Sequence, residues 1–125
     1  MRNNSYKYYN RNPDGKLLED CVCRAISTAT GLNYNAVNNL LALTASCYLC
    51  EKLCVCCYHN LLEDILGYER YMCYNGETVE EIANSYPNDK LLIRINAHLT
   101  SSVKGTIYDI WDCSDKEVDC YWIVK

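Results

Sequence analysis

The chain has 125 residues, half of them apolar, with ten cysteines and a formal net charge of −4. This size and composition predict a single folded domain over residues 1–125 and exclude a disordered chain. Because no run of roughly 18 apolar residues occurs, a membrane-spanning helix is excluded. The acidic surplus also argues against nucleic acid as a partner.

The cysteines raise the question of redox compartment. The first residues lack the apolar stretch of a secretory signal peptide, so we expect a cytoplasmic protein with reduced thiols. A reduced thiol serves as a small apolar side chain, a metal ligand or a nucleophile. The sequence must therefore indicate which cysteine has which role.

The first half of the chain predicts helices. Residues 1–19 are polar and tyrosine-rich, with a turn at 12–15. Apolar residues at helical spacing predict a first helix from about Asp20 to Thr30, and Gly31 is a natural end for it.

Three further segments also read as helical. Asn33 or Asn35 can cap a second helix. Residues 45–66 predict helix with a break. The segment 78–81, Thr-Val-Glu-Glu, has the form of a capping box that opens a short helix to about Asn84.

After residue 90 the sequence pattern changes to that of strands. Lys104-Gly105 is a two-residue hairpin loop, and Leu91–Ile95 is an apolar, partly β-branched run. The predicted strands are 91–95, 98–103, 106–111 and 118–124. We therefore expect an α+β fold in which helices come first and pack on one face of a small, four-stranded, mainly antiparallel sheet.

The predicted hairpin brings a histidine and an acid together. With Lys104-Gly105 as the loop, His98 lies opposite Trp111, which is expected to shield the imidazole, and Asp109 is the diagonal neighbour of His98. In a Cys-His-Asp triad, an acid orients the histidine through one imidazole nitrogen while the other nitrogen faces a thiol.

Cys21 is the candidate thiol because it lies in the first turn of the first predicted helix, where the helix dipole favours a thiolate. Glu19 and Asp20 oppose this effect, and one of them is expected to cap the helix. Arg24 can pair with Asp20 four residues earlier, or recognise a substrate carboxylate; the pairing is the more ordinary interpretation.

Alternatives stay open on the residues alone. Asp112 could replace Asp109 as the acid, although strand alternation points it the other way. A lone helical cysteine is typical of a core, and a histidine and an acid on a hairpin are typical of a polar surface.

Two sets of motifs resemble a known family. Near the start these are Asn12-Pro13-Asp14-Gly15, Asp20–Ile26 and Thr30-Gly31; later they are Ala97–Thr100, Gly105–Asp109 and Trp111-Asp112. Together they resemble the nucleophile helix, the histidine strand and the acid strand of papain-like cysteine peptidase domains found in phage and bacterial genomes. They also resemble the bacteriocin-processing, C39-like peptidases.

The resemblance implies a papain-like fold and a thiol hydrolase that cleaves a peptide or related acyl bond without a cofactor. Cys21 corresponds to the nucleophile, His98 to the general base and acid, and Asp109 to the orienting acid. Gly15 stands where the family has its oxyanion-hole glutamine, so Asn12 and the Cys21 backbone amide are the candidate donors.

That departure from the family pattern motivates an alternative of another class. The chain would then be a catalytically inactive papain-like binding protein, for example a phage factor that binds a host or defence component in the host cytoplasm.

A second cysteine group has helical spacing: Cys47, Cys50, Cys54 and Cys57. Such a stripe is typical of thiols that replace aliphatic side chains in a core. The same residues are candidate ligands for zinc or an iron–sulfur cluster if the helix breaks between Cys50 and Cys54, since one straight helix cannot surround an ion.

Overall fold

A computed structural model describes residues 6–13, 15, 20–52 and 54–125. The helices of this part are Cys21–Thr30 (α1), Tyr34–Tyr48 (α2), Val55–Asn60 (α3), which continues as a π-helical turn over Leu61–Ile65, and Val79–Ser85 (α4). The strands are Tyr6–Tyr8 (β1), Arg70–Met72 (β2), Lys90–Ile95 (β3), His98–Val103 (β4), Thr106–Asp109 (β5) and Cys120–Val124 (β6). No helix among these residues has the length and apolarity needed to cross a membrane.

The predicted helix boundaries are confirmed where capping chemistry sets them. Gly31 ends α1 in the left-handed conformation, with φ 77°. Asn33 begins α2, because its side chain accepts the first backbone amides of that helix. Thr78 and Glu81 form the predicted capping box of α4. Glu19, the other candidate cap of α1, lies outside the described residues.

The predicted break in the 45–66 segment is also present. Helix α2 ends at Leu49, which adopts a left-handed conformation with φ 54° and is 93% exposed. Helix α3 starts after Cys54, whose sulfur accepts the backbone N–H of Cys57 at 3.3 Å. Cys50 and Cys54 therefore lie in the connection between two helices.

The sheet is larger than the sequence predicts. Its six strands have the order β1-β5-β4-β3-β6-β2, and all neighbours are antiparallel except the parallel pair β1 and β5. The expectation of four strands is wrong because β1 and β2 are edge strands of three residues each. Segments this short carry too little alternation of apolar and polar residues to be recognised.

The predicted hairpin register is confirmed. Val103 pairs with Thr106 across Lys104-Gly105, and Ser101 pairs with Tyr108. Strand β5 ends at Asp109, two residues earlier than predicted. The Asp109 side chain accepts the backbone N–H of the next residue at 2.7 Å, which takes that amide out of strand pairing.

The helices cover both faces of the sheet, so the expectation of one covered face is wrong. Helices α1, α2 and α3 pack with Leu92 of β3 on one face. Val79 and Ile82 of α4 pack with Leu91 and Ile93 on the other. The apolar run of β3 is the physical reason, since a strand with alternating buried faces must be covered on both sides.

Candidate active site

Cys21 is the first residue of α1, and this helix packs against β4. The side chain of the preceding Asp20 makes no capping bond. Instead, its carboxylate pairs with Arg24, as predicted, and accepts hydrogen bonds from the Tyr34 hydroxyl and from Asn12 Nδ2, the latter at 3.1 Å. The acid next to Cys21 therefore has its charge compensated, and the start of the helix remains favourable to a thiolate.

Asn12, the candidate oxyanion donor, belongs to this buried network. Its Nδ2 atom also lies 3.4 Å from the Tyr34 hydroxyl, and the residue is 8% exposed. Its carbonyl accepts the backbone N–H of Gly15 at 3.0 Å, which closes the predicted turn. Asn12 thus holds Asp20 at the start of α1, and its role as an oxyanion donor stays a prediction.

His98 and Asp109 form a hydrogen-bonded pair at one end of the hairpin. His98 begins β4, Asp109 ends β5, and Nε2 of the imidazole lies 2.6 Å from Oδ2 of the carboxylate. Asp109 is 5% exposed, and its Oδ1 accepts the backbone N–H of Ile110. A carboxylate only accepts, so Nε2 carries the proton and Nδ1 is the nitrogen left for a thiol.

The structure brings Cys21 to this pair, and the contact changes the acidity of both groups. Burial raises the pKa of Cys21, but hydrogen bonds from His98 and from the Leu99 backbone amide outweigh it, so the pKa is lowered. Burial also lowers the pKa of His98, but the bond to Asp109 and the neighbouring thiols raise it to about 11. Both shifts favour a thiolate beside an imidazolium.

Trp111 and Asp112 follow directly after the acid. The Trp111 ring packs edge-on against the His98 ring, with centroids 5.0 Å apart, as the sequence predicts. Asp112 Oδ1 accepts the backbone N–H of Ser114 at 3.1 Å and its hydroxyl at 2.6 Å. Asp109 is therefore the acid at the imidazole, whereas Asp112 stabilises the turn that follows.

A cavity of about 460 Å³ opens onto Cys21 and His98. Its walls come from α1, α3 and the β3–β4 turn, and its other lining residues are Val22, Cys54, Val55, Tyr58, Arg94, Ile95, Asn96, Ala97, Leu99 and Asp119. Because the thiol and the imidazole share this cavity, a carbonyl group held there has access to both.

Sequence reasoning missed two features of the site. The Leu99 backbone amide helps to lower the pKa of the Cys21 thiol. The fully buried thiol of Cys113 lies 3.9 Å from Asp109 Oδ2. Cys113 follows the predicted acid strand by a few residues, but only its burial against that strand indicates a role.

His98, Asp109 and Cys113 are the one group of potential metal ligands among the described residues whose ligand atoms all lie within 4.8 Å of one another. The 2.6 Å between Nε2 and Oδ2 is the length of a hydrogen bond. Two ligands of a tetrahedral zinc ion at bond lengths of about 2.0–2.1 Å would lie about 3.3 Å apart. The arrangement is therefore a hydrogen-bonded pair with a neighbouring thiol.

The candidate metal ligands of the second cysteine group do not converge on one point, since no three of their sulfurs lie within 4.8 Å of one another. Cys47 is exposed on α2, and the buried Cys57 thiol donates to the Leu41 carbonyl at 3.3 Å. Burial and the neighbouring thiols Cys57 and Cys54 raise the pKa of Cys50 to about 12. These contacts favour protonated thiols at the junction of α2 and α3.

No family model, curated protein or solved structure matches this chain. The arrangement of Cys21, His98 and Asp109 around one cavity is therefore the basis for any functional assignment.

Proposed function

We propose that this chain is a papain-like thiol hydrolase that cleaves a peptide or related acyl bond. The observation that carries the proposal is the position of His98, which contacts the Cys21 thiol and is hydrogen-bonded to Asp109 at 2.6 Å. The chain order of thiol, imidazole and acid, and a nucleophile at the start of a helix packed on a sheet, both support it.

The proposed reaction begins when the Cys21 thiolate attacks the carbonyl carbon of a substrate in the cavity. A carbon–sulfur bond forms, the carbonyl electrons move onto oxygen, and the tetrahedral intermediate then expels the leaving amine or alkoxide. The His98 imidazolium gives its proton to that leaving group. Asp109 keeps the ring oriented and stabilises its positive charge.

The acyl-enzyme is then released by water. Neutral His98 removes a proton from the water as the oxygen attacks the thioester carbon, and the carbon–sulfur bond breaks to regenerate the Cys21 thiolate. The backbone N–H of Cys21, at the start of α1, is the candidate donor to the oxyanion, since the first amides of a helix have no partner within it.

The decisive test is selective alkylation of Cys21. We would treat the folded protein with limiting iodoacetamide at pH 7 and locate the modified cysteines by peptide mass spectrometry over time. The proposal expects Cys21 to react first, and at least roughly tenfold faster than the exposed Cys47 and Cys56, because a thiolate is the reactive form. His98→Ala should abolish this difference.

Hydrolysis is tested separately from thiol reactivity. We would incubate the protein with a mixture of peptides and analyse the products by mass spectrometry, with Cys21→Ala as the control for contaminating peptidases. Cleavage that depends on Cys21 would support the hydrolase. Equal, slow alkylation of all accessible cysteines together with no cleavage would exclude it and favour the catalytically inactive binding protein.

A further inference from the structure

Cys113 is the one cysteine besides Cys21 that contacts the histidine–acid pair in the described part of the chain. Its side chain is fully buried in the bend after β5. Its Sγ lies 3.9 Å from Asp109 Oδ2, the same oxygen that accepts the His98 Nε2–H. The thiol, the carboxylate and the imidazole thus form one cluster with all ligand atoms within 4.8 Å.

The position of Cys113 is fixed from both sides. Its carbonyl accepts the backbone N–H of Lys116 at 3.1 Å, and the next residue, Ser114, is bonded to Asp112. The Ser114 carbonyl accepts the Glu80 amide at 2.9 Å, which joins this turn to the start of α4. A well-fixed thiol can hold a carboxylate, whereas a mobile one cannot.

We propose that Cys113 is a positioning residue, which donates its S–H to Asp109 Oδ2 and keeps water from that oxygen. The carboxylate is then held at both ends, by the Ile110 amide on Oδ1 and by Cys113 and His98 on Oδ2. This inference rests on the proposed function, because it assigns to Asp109 the task of orienting His98. At 3.9 Å the sulfur bond is long, so its effect is smaller than that of a neutral N–H or O–H donor.

A charge-based readout separates positioning from simple packing. The chain has only two histidines, so the ring protons of His98 can be followed by NMR and assigned with the His59→Gln variant. Within the described part of the chain, Asp109 also interacts electrostatically with Cys21 and Arg24 on α1 and with Tyr6 on β1. These groups are unchanged in the variants below, so a shift reports on Cys113.

The experiment compares Cys113→Ala, Cys113→Val and Cys113→Ser. Contact with Cys113 raises the pKa of His98, so loss of the S–H in the Ala and Val variants should lower that pKa by roughly half to one unit. At pH 11 the imidazolium fraction of His98 should then fall from about one half to between about a quarter and a tenth. The Ser variant retains a donor and should lie closer to the wild type. Cys120→Ala removes an equally buried thiol from β6 and should change neither quantity.

Two outcomes would overturn the inference. One is an unchanged His98 titration in the Ala and Val variants, and the other is a Ser variant that behaves like Ala, which would indicate a packing effect only. The Val variant fills the site, so it keeps the test informative if Ala does not fold. His98→Ala, run in parallel, tests the hydrolase itself: if it leaves Cys21 alkylation unchanged, the proposed function fails independently of Cys113.

Discussion

The Nε2 atom of His98 lies 2.6 Å from Oδ2 of Asp109, although the two residues belong to different strands and are eleven positions apart. The hairpin register brings them together, and burial removes the water that would otherwise compete for the carboxylate. A charge-assisted hydrogen bond in such surroundings is strong and keeps the ring in one orientation. The reactivity of Cys21 should therefore depend on Asp109. The carboxylate acts through His98 and needs no contact with the thiol.

Replacement of Asp109 by asparagine should lower the pKa of His98 and so remove the imidazolium that activates Cys21. The amide carries no charge, so the pKa of His98 returns towards its ordinary 6.5 and the imidazolium is lost above that pH. We expect Cys21 alkylation at pH 8 to slow by at least about tenfold, measured by peptide mass spectrometry. An equal loss in Asp112→Asn, with Asp109→Asn unchanged, would instead assign the acid to Asp112.

The alkylation rate of Cys21 should change with pH in two steps. It rises as the thiol, with its lowered pKa, ionises below its ordinary value of 9.0, and it changes again as His98 loses its proton near pH 11. In His98→Ala the first limb should move to higher pH, because burial then acts without a compensating imidazole. A first limb that is the same in both proteins would show that His98 does not act on the thiol.

The free energy of unfolding should depend on the protonation of His98 in its pair with Asp109. The pKa of His98 is about 11 in the folded protein and about 6.5 when unfolded, so folding favours the protonated ring. This contribution is fully present below pH 6.5 and is lost as the pH rises towards 11. The difference in unfolding free energy between the wild type and His98→Gln, from urea titrations, should shrink across that window. A constant difference would contradict the raised pKa.

Leu49 should be a site where glycine stabilises the protein. This residue caps α2 with φ 54°, a conformation that strains an L-residue, and its side chain is 93% exposed. We expect Leu49→Gly to raise the unfolding free energy by roughly 0.5 kcal/mol, since relief of strain exceeds the added entropy of the unfolded chain. Leu43→Gly, at an exposed position inside α2, should lower it by about 1 kcal/mol and is the matched control.

Ser102 offers a second stability test, inside the sheet. It is fully buried between Leu91 and Ile107, and its hydroxyl finds no hydrogen-bond partner among the described residues. Ser102→Ala should raise the unfolding free energy by about 1 kcal/mol, because it removes an unsatisfied polar group. The neighbouring Ser101 donates to the Tyr108 carbonyl at 3.3 Å, so Ser101→Ala should be destabilising instead. Equal effects in both variants would refute this account.

The sequence predicts features that depend on neighbouring residues. The ends of α1, α2 and α4 follow from Gly31, Asn33 and the Thr78 capping box, whose side chains or backbone act within a few positions. The hairpin register follows from a two-residue loop, and it already makes His98 and Asp109 neighbours. Local chemistry of this kind is complete in a short segment and needs no knowledge of the rest of the chain.

The short edge strands, and which faces of the sheet the helices cover, cannot be predicted from neighbouring residues. Strands β1 and β2 exist because longer strands offer them a partner, and α4 covers the second face because β3 is apolar on both sides. These choices depend on which surfaces remain uncovered after the rest of the chain has packed. The local pattern of three residues does not contain that information.

Sequence alone therefore determined the candidate residues and the hairpin that pairs His98 with Asp109. Tertiary structure decided that Cys21 meets this pair, that Tyr34 and Asn12 also donate to Asp20, and that the Cys113 thiol lies next to the Asp109 carboxylate. The physical reason is that a helix start and a strand end become neighbours only when both bury apolar faces in the same core, which is a property of the whole chain.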